Sequence, residues 1–374
     1  MRFETLAVHA GAEPDPATGA VAPPIHLSTT FDHGPASEGP HGYHYIREAN
    51  PTQARLERAL AALDGGDSAL VFASGMAASA AFLQALPPGS HVVFPDDIYL
   101  GNRILARDHF PRWGLTSSTV AMSDLDAVRK ALTPATRLLW AESPSNPLMK
   151  VADLTGLAEL AHAAGAQLLV DGTFATPVLQ QPLALGADAV LHSTTKYLGG
   201  HSDVQGGALV LKRGESLERL RELRTVLGSV ASPFNSWLVL RGLRTLAVRV
   251  ERQSASALLL AEAIRAHPKV AAVHYPGLAS HAGHAIARRQ MRAFGAMLSL
   301  EVAGGRAGAL AVASRVRLFL NATSLGGSES LLEHRASSEG PESTTRQDLL
   351  RISVGLEHPQ DLIDDLLQAL EGNA

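Results

Sequence analysis

The chain has 374 residues and no cysteine. Disulfides, thiolate metal ligands and a cysteine nucleophile are therefore excluded. It also lacks a dominant charge: 32 Lys and Arg stand against 36 Asp and Glu, a formal charge of −4. Such a balance gives no reason to expect nucleic acid as a partner. No apolar run reaches the ~18 residues of a membrane span. Met1-Arg2-Phe3-Glu4-Thr5 opens no signal-peptide apolar core. A cytoplasmic location and no membrane partner are the expectation. No internal repeat is found. What is abundant is apolar side chain, 46% of the residues, ample for burial. The length favours two domains over one.

Pro14, Pro16, Pro23, Pro24, Pro35 and Pro40 crowd the start of the chain. The Gly/Pro/His-rich part before Tyr43 reads as an extended arm, with too few periodic apolar positions to fold alone. Residues 1–50 are assigned to this arm. Beyond it, helical patterns at 52–63, 76–86, 124–132 and 153–164 alternate with β-rich runs at 69–73, 91–95, 136–141, 167–171 and 189–192. This alternation predicts an α/β domain over 51–235, a mainly parallel sheet with helices on both faces. Sites in such sheets gather at the carboxyl ends of the strands, where Ser74, Glu142, Asp171 and Lys196 fall. Residues 234–266 read as one long helical region, Trp237 through Arg265, with Gly242 as a candidate break and Pro268 ending it. Runs at 270–275, 296–302, 316–321 and 350–354 and an amphipathic helix at 359–370 follow. They make residues 236–374 a smaller C-terminal α+β domain. The polar stretch 335–346 reads as a loop.

The most informative segment is Ser193-Thr194-Thr195-Lys196-Tyr197-Leu198-Gly199-Gly200-His201-Ser202-Asp203, after the apolar run Ala189-Val190-Leu191. A lysine that ends a buried strand has no water to solvate its charge, so desolvation lowers its pKa. That makes it a candidate Schiff-base nucleophile. A second apolar run, Gln167-Leu168-Leu169-Val170, ends in Asp171. A lysine for an aldehyde and an aspartate for a pyridinium nitrogen are what a pyridoxal phosphate (PLP) site needs. A single lysine at a strand end is more often a plain surface residue; the flanking sequence reverses that. Ser74-Gly75-Met76 follows the strand-like Ala69-Leu70-Val71-Phe72-Ala73 and opens a helix. Its free N–H groups and the positive end of the helix dipole suit an anion, although an ordinary N-cap is the simpler account of Ser74 alone. Ser193 and Thr195, spaced as on a strand, add hydroxyl donors on one side.

These segments resemble the Cys/Met-metabolism PLP enzymes, the family of cystathionine γ-synthase, the cystathionine γ- and β-lyases, methionine γ-lyase and the O-acylhomoserine sulfhydrylases. The resemblance covers nearly the whole chain, from Thr5 and Val8-His9 to Arg351-Ile352-Ser353-Val354-Gly355. Tyr45-Ile46-Arg47-Glu48-Ala49-Asn50-Pro51-Thr52 is similar to the family's Tyr-x-Arg-x-x-Asn-Pro-Thr. Glu142-Ser143-Pro144-Ser145-Asn146-Pro147 is similar to its Glu-x-Pro-x-Asn-Pro. The resemblance implies PLP as cofactor and PLP fold type I, the aspartate-aminotransferase-like architecture. It further implies that Lys196 carries the Schiff base and moves protons, while Asp171 keeps the pyridinium protonated. Ser74, Gly75, Met76, Ser193 and Thr195 would hold the phosphate. Tyr45 and Arg47 would reach from one subunit to the phosphate of its neighbour, the arginine through its planar fork. Tyr99, in Asp96-Asp97-Ile98-Tyr99-Leu100-Gly101, would stack on the ring and assist proton transfer. Asn146 would contact the cofactor's phenolic oxygen and the substrate carboxylate. Arg351 would clamp the α-carboxylate and so orient the Cα–H bond, and Ser324 would help hold that carboxylate and Lys196. A homo-oligomer with shared active sites follows, at least a dimer and by the family pattern a tetramer of two dimers.

The departures lie where substrates differ. Thr323 stands where many cystathionine synthases and γ-lyases carry Glu near the distal end of the substrate. Asn102 stands where methionine γ-lyases often have cysteine. Gly172 replaces the usual Asn after the ring aspartate. His334-Arg335-Ala336-Ser337-Ser338-Glu339 replaces the usual His-Pro-Ala-Ser-Met-Thr-His. Asp96 and Asp97 read as solvated loop charges. His281-Ala282-Gly283-His284 and His41-Gly42-Tyr43-His44 lack a third ligand at obvious spacing, so no metal is expected. The expected activity is γ-elimination or γ-replacement on a small sulfur-containing or O-acylated amino acid in trans-sulfuration, methionine biosynthesis or cysteine metabolism. Cystathionine γ-synthase or γ-lyase chemistry comes first. Cystathionine β-lyase, methionine γ-lyase, O-acylhomoserine sulfhydrylase, a transaminase and a non-catalytic PLP-binding protein are the alternatives.

Overall fold

The computed structural model describes residues 1–37, 39, 41–212, 215–341 and 343–372. Pro40 of the arm and Glu342 of the polar stretch lie outside them. Seven strands form the first sheet: β1 (Ser68–Phe72), β2 (His91–Pro95), β3 (Thr116–Val120), β4 (Thr136–Glu142), β5 (Gln167–Asp171), β6 (Ala189–His192) and β7 (Gly207–Leu211). Their order is β1-β7-β6-β5-β4-β2-β3. β7 runs antiparallel to both neighbours, and the other pairs are parallel. The apolar runs have no polar alternation because both faces of the sheet are covered. Side chains still alternate with period 2. Leu168 and Val170 enter one core, with Leu56, Leu60 and Leu157 from the helices Pro51–Asp64 and Leu154–Ala163. Leu169 enters the other, with Ala78 and Phe82 of the helix Gly75–Ala85.

Local chemistry sets the helix ends. Asn50 accepts the Thr52 N–H at 2.9 Å and Pro51 takes the first helical position, where a missing N–H costs nothing. Ser74 accepts the Ala77 N–H at 3.0 Å, and Asp153 caps Leu154–Ala163. The β7 strand and the polar edge strand β3 have no counterpart in the sequence reading. β3 is Thr116-Ser117-Ser118-Thr119-Val120, an edge too polar to show as a β-rich run.

The second sheet has the order β10-β11-β12-β9-β8, from β8 (Val270–His274), β9 (Met297–Val302), β10 (Leu320–Asn321), β11 (Leu331–His334) and β12 (Leu349–Ser353). Its register sets Arg351 opposite Glu333 on one side and Ser299 on the other. Leu298, Leu350 and Ile352 pack with Leu260 and Leu366 of the helices Leu246–Ile264 and Pro359–Glu371. Among the described residues no helix is long and apolar enough to cross a membrane.

Three local expectations change, while the break foreseen near Gly242 is present: the helical region at 234–266 is two helices, Pro233–Leu243 and Leu246–Ile264, parted at 244–245. Gly242 itself ends up inside the first, where a Cβ would stand 2.4 Å from the Gly199 carbonyl oxygen. Its lack of a side chain lets this helix lie against the lysine loop. Within 316–321 only Leu320–Asn321 is strand, because the N–H groups of Arg317 and Leu318 turn to the Asp365 carboxylate at 2.8–3.0 Å. The stretch 335–346 begins as a short helix, Arg335–Glu339, with Arg335 and Ala336 buried. Arg335 is held inward by acidic partners, which a polar composition does not reveal. The first 50 residues open with a helix, Phe3–His9, that buries Phe3 and Ala7.

Candidate active site

A cavity of about 500 Å³ opens at the carboxyl ends of β1, β4, β5 and β6. Ser74, Gly75, Met76, Tyr99, Asn146, Asp171, Ser193, Thr195, Lys196, Thr323, Ser324 and Arg351 all line it. They come from all along the chain, from Ser74 to Arg351. Of the sequence-predicted set, Tyr45 and Arg47 alone stay outside. Tyr45 is 39% exposed, and the Arg47 guanidinium lies 5.3 Å over the Tyr45 ring.

Lys196 sits in the turn after β6, with its Nζ donating to Ser324 Oγ at 2.7 Å. Burial, and then the nearby Arg351 charge, bring its amine down to about 8. The turn is held from below by Arg249, which donates to the Tyr197 carbonyl at 2.9 Å and to the Gly242 carbonyl at 2.8 Å. Since β6 ends at His192, Ser193 and Thr195 stand in a turn and not on a strand; both still face the cavity. Thr195 Oγ1 is tied to the backbone of Gly206.

Ser324 has φ 84°, a left-handed conformation costly for a residue with a side chain. There its hydroxyl meets Lys196 while its carbonyl accepts from Arg351 Nη2 at 3.0 Å. Arg351 Nη1 donates to Asn146 Oδ1 at 3.0 Å. Burial brings this guanidinium down to about 10, yet it stays charged at neutral pH.

Asp171 ends β5 and accepts the Thr173 N–H at 2.9 Å. Burial raises its pKa, and the Thr173 hydrogen bonds oppose that rise. Glu142, at the end of the neighbouring β4, is raised well above its ordinary value by burial and then by Asp171. It accepts the Tyr99 N–H at 3.1 Å and so fixes the backbone at that tyrosine. Asp97 overturns its reading as a solvated charge. It is buried, bonded to the Ser145 hydroxyl and to the Leu148 N–H at 2.9 Å. Its task is to hold the turn that presents Asn146. Asp96 does pair at the surface, with Lys150 at 2.7 Å.

The sequence reading missed Glu333, which bonds Arg351 Nη2 at 2.6 Å. Its one signal was an acidic residue directly after the apolar Leu331-Leu332. It also missed the buried pair His192–Asp64, at 2.9 Å. Among the described residues no group of three or more metal-ligating side chains lies together. His281 Nδ1 accepts the Gly283 N–H, and His284 Nδ1 lies 2.8 Å from the Pro276 carbonyl.

The donor set fits PLP. An anion finds the first N–H groups of the helix Gly75–Ala85, which have no partner within the helix. Gly75 keeps this cradle open, since a Cβ there would stand 3.0 Å from Ser193 Cβ. A pyridinium would find a buried carboxylate in Asp171, and an aldehyde would find an amine of lowered basicity in Lys196.

Comparison with known proteins agrees. The model of the Cys/Met metabolism PLP-dependent enzyme family matches residues 4–371. A cystathionine gamma-synthase of Mycobacterium tuberculosis is 50% identical over 372 residues, 98% of this chain and 96% of the relative. A cystathionine beta-lyase of Coxiella burnetii is 45% identical over 379 residues, 98% of this chain and 97% of the relative. The crystal structure of a cystathione gamma lyase (CalE6) from Micromonospora echinospora matches at a TM-score of 0.95 with 44% identity, covering 100% of both chains. The fold is accordingly PLP fold type I. With PLP as its cofactor, the chain belongs to the Cys/Met metabolism PLP-dependent enzymes of sulfur amino-acid metabolism.

Proposed function

We propose that the protein catalyses γ-elimination or γ-replacement on a sulfur-containing or O-acylated amino acid, as a cystathionine γ-synthase or γ-lyase. The observation that carries this reading is the double use of Ser324. Its hydroxyl meets the Lys196 amine and its carbonyl meets the Arg351 guanidinium. A proton carrier and a carboxylate receptor joined through one residue bracket the Cα of an α-amino acid. The name of the mycobacterial relative, cystathionine gamma-synthase, supports the γ-replacement version.

Bound PLP supplies an aldehyde for the substrate amine and a ring that accepts electron density from Cα. The residues of the chain do the rest. Gly75 and Met76 receive the phosphate on backbone N–H groups, beside the Ser74, Ser193 and Thr195 hydroxyls. Asp171 would pair with the ring nitrogen and keep its proton in place, a pairing that would offset the cost of its own buried charge. Tyr99, on the cavity wall, would offer its ring to one face of the cofactor. Arg351 and Asn146 fix the α-carboxylate so that the Cα–H bond points at Lys196. Lys196 takes the Cα proton, then moves a proton at Cβ, and the γ-substituent leaves. Thr323 stands near the distal end of the substrate. Tyr45 and Arg47 come from the neighbouring subunit of a homo-oligomer and complete its phosphate cup.

The test is product identification with the purified enzyme. Cysteine and an O-acylhomoserine should give cystathionine, or cystathionine should give cysteine and 2-ketobutyrate. Homocysteine and pyruvate from cystathionine would replace this reading with a β-lyase. Methanethiol from methionine would replace it with a methionine lyase. Sulfide incorporation alone would replace it with a sulfhydrylase.

A further inference from the structure

Arg351 does not stand alone behind the cavity. Its register partner Glu333 accepts its Nη2 at 2.6 Å. The same carboxylate accepts from Arg335 Nη1, at 3.4 Å on Oε1 and 3.2 Å on Oε2. Arg335 Nη2 then donates to Glu339 Oε1 at 2.8 Å. Glu339 Oε2 accepts from the Ser343 hydroxyl at 2.6 Å and the Thr345 hydroxyl at 2.7 Å. Side chains of Arg351, Glu333, Arg335 and Glu339 are 4%, 3%, 9% and 2% exposed. Two guanidiniums and two carboxylates therefore alternate from the cavity wall to its rim, with no net charge.

A buried carboxylate with one guanidinium partner spends that partner's charge. If Glu333 faced Arg351 alone, an incoming α-carboxylate would have to compete with it. Arg335 gives Glu333 a second partner, and Glu339 in turn draws Arg335 outward. Arg335 Nε is buried without a partner, so the guanidinium is aimed at its two carboxylates at the expense of its own third donor site. We propose that Arg335 is a positioning residue which divides the Glu333 carboxylate between two guanidiniums. It thereby keeps Arg351 free to take the α-carboxylate of the substrate, and Glu339 opposes it. The proposal rests on the reading of Arg351 as the carboxylate receptor.

The two outer residues must then act with opposite signs. Butyrate carries the carboxylate without the amine or a distal group, and butyramide is its uncharged control. Binding of both to the holoenzyme is measured by titration calorimetry, with kcat and KM for the best substrate alongside. Arg335→Leu should weaken butyrate about tenfold, the scale of coupling within one charge network, and raise KM with little change in kcat. Arg335→Lys should restore part of it. Glu339→Gln should tighten butyrate several-fold, and butyramide should not respond to any of the three. Weaker butyrate binding in Glu339→Gln would reduce the network to a structural brace and overturn the proposal. So would unchanged butyrate binding in Arg335→Leu with altered substrate KM, which would make Arg335 a direct contact for the distal group. If Arg335→Leu does not fold, Arg335→Lys and Glu339→Gln decide by the same signs. Undiminished butyrate binding in Arg351→Ala would instead overturn the reading of Arg351 itself.

Discussion

At the scale of single residues the site is governed by desolvation. Lys196 has its amine brought down to about 8 by burial and by Arg351, against an ordinary lysine near 10.4. The neutral amine is the form that captures an aldehyde. Capture of PLP by the apoprotein, followed by visible absorbance, should therefore accelerate up to a pH of about 8 and then level off. Continued acceleration towards the ordinary lysine range would show an unperturbed amine, and wild-type turnover in Lys196→Ala would remove it from the chemistry altogether. The same shift bears on stability. Between about 8 and the ordinary value the unfolded lysine still binds a proton that the folded one has released. Apoprotein stability should thus gain from this group as pH rises through that window.

At the scale of elements, the lysine turn depends on a helix that contributes no residue to the cavity lining. Arg249, on Leu246–Ile264, spends its guanidinium on two carbonyls, those of Tyr197 and Gly242, and on the Thr245 hydroxyl at 3.2 Å. It thereby joins the first sheet's site loop to the helix pair that covers the second sheet. Removing a charged donor from buried carbonyls costs about 2 kcal/mol or more. Arg249→Met should lower the denaturant midpoint by a corresponding amount and speed loss of PLP on dialysis. A variant with wild-type stability and PLP retention would show that the turn holds itself.

At the scale of the whole molecule, the cavity end near Ser74 and Gly75, where a phosphate would sit, is short of cations among the described residues of one chain. Lys196, Arg335 and Arg351 line the cavity, but the last two belong to the network around Glu333. Arg47 stacks on Tyr45 away from it. A two-fold dimer in which each arm completes the other's cup accounts for both facts. Mixing inactive Arg47→Ala and Lys196→Ala chains should then restore activity, since half of the sites in a hybrid dimer carry neither lesion. No recovery after demonstrated subunit exchange would leave the arm with its own subunit.

What the sequence determined by itself is whatever local pattern reports. Apolar runs ending in Asp171 and before Lys196, the serine that opens a helix at Ser74, and a family resemblance over most of the chain gave the α/β order, the cofactor and twelve of the residues that line the cavity. Tertiary structure alone decided the pairing of charges. Asp97 reads as a loop carboxylate until the Ser145 turn closes over it. Arg335 and Glu339 read as part of a polar loop until the register of β11 and β12 places Glu333 against Arg351. A side chain's periodicity states which face it is on. Whether a charge can be buried there depends on a partner brought in from another strand, and that partner is set by the fold.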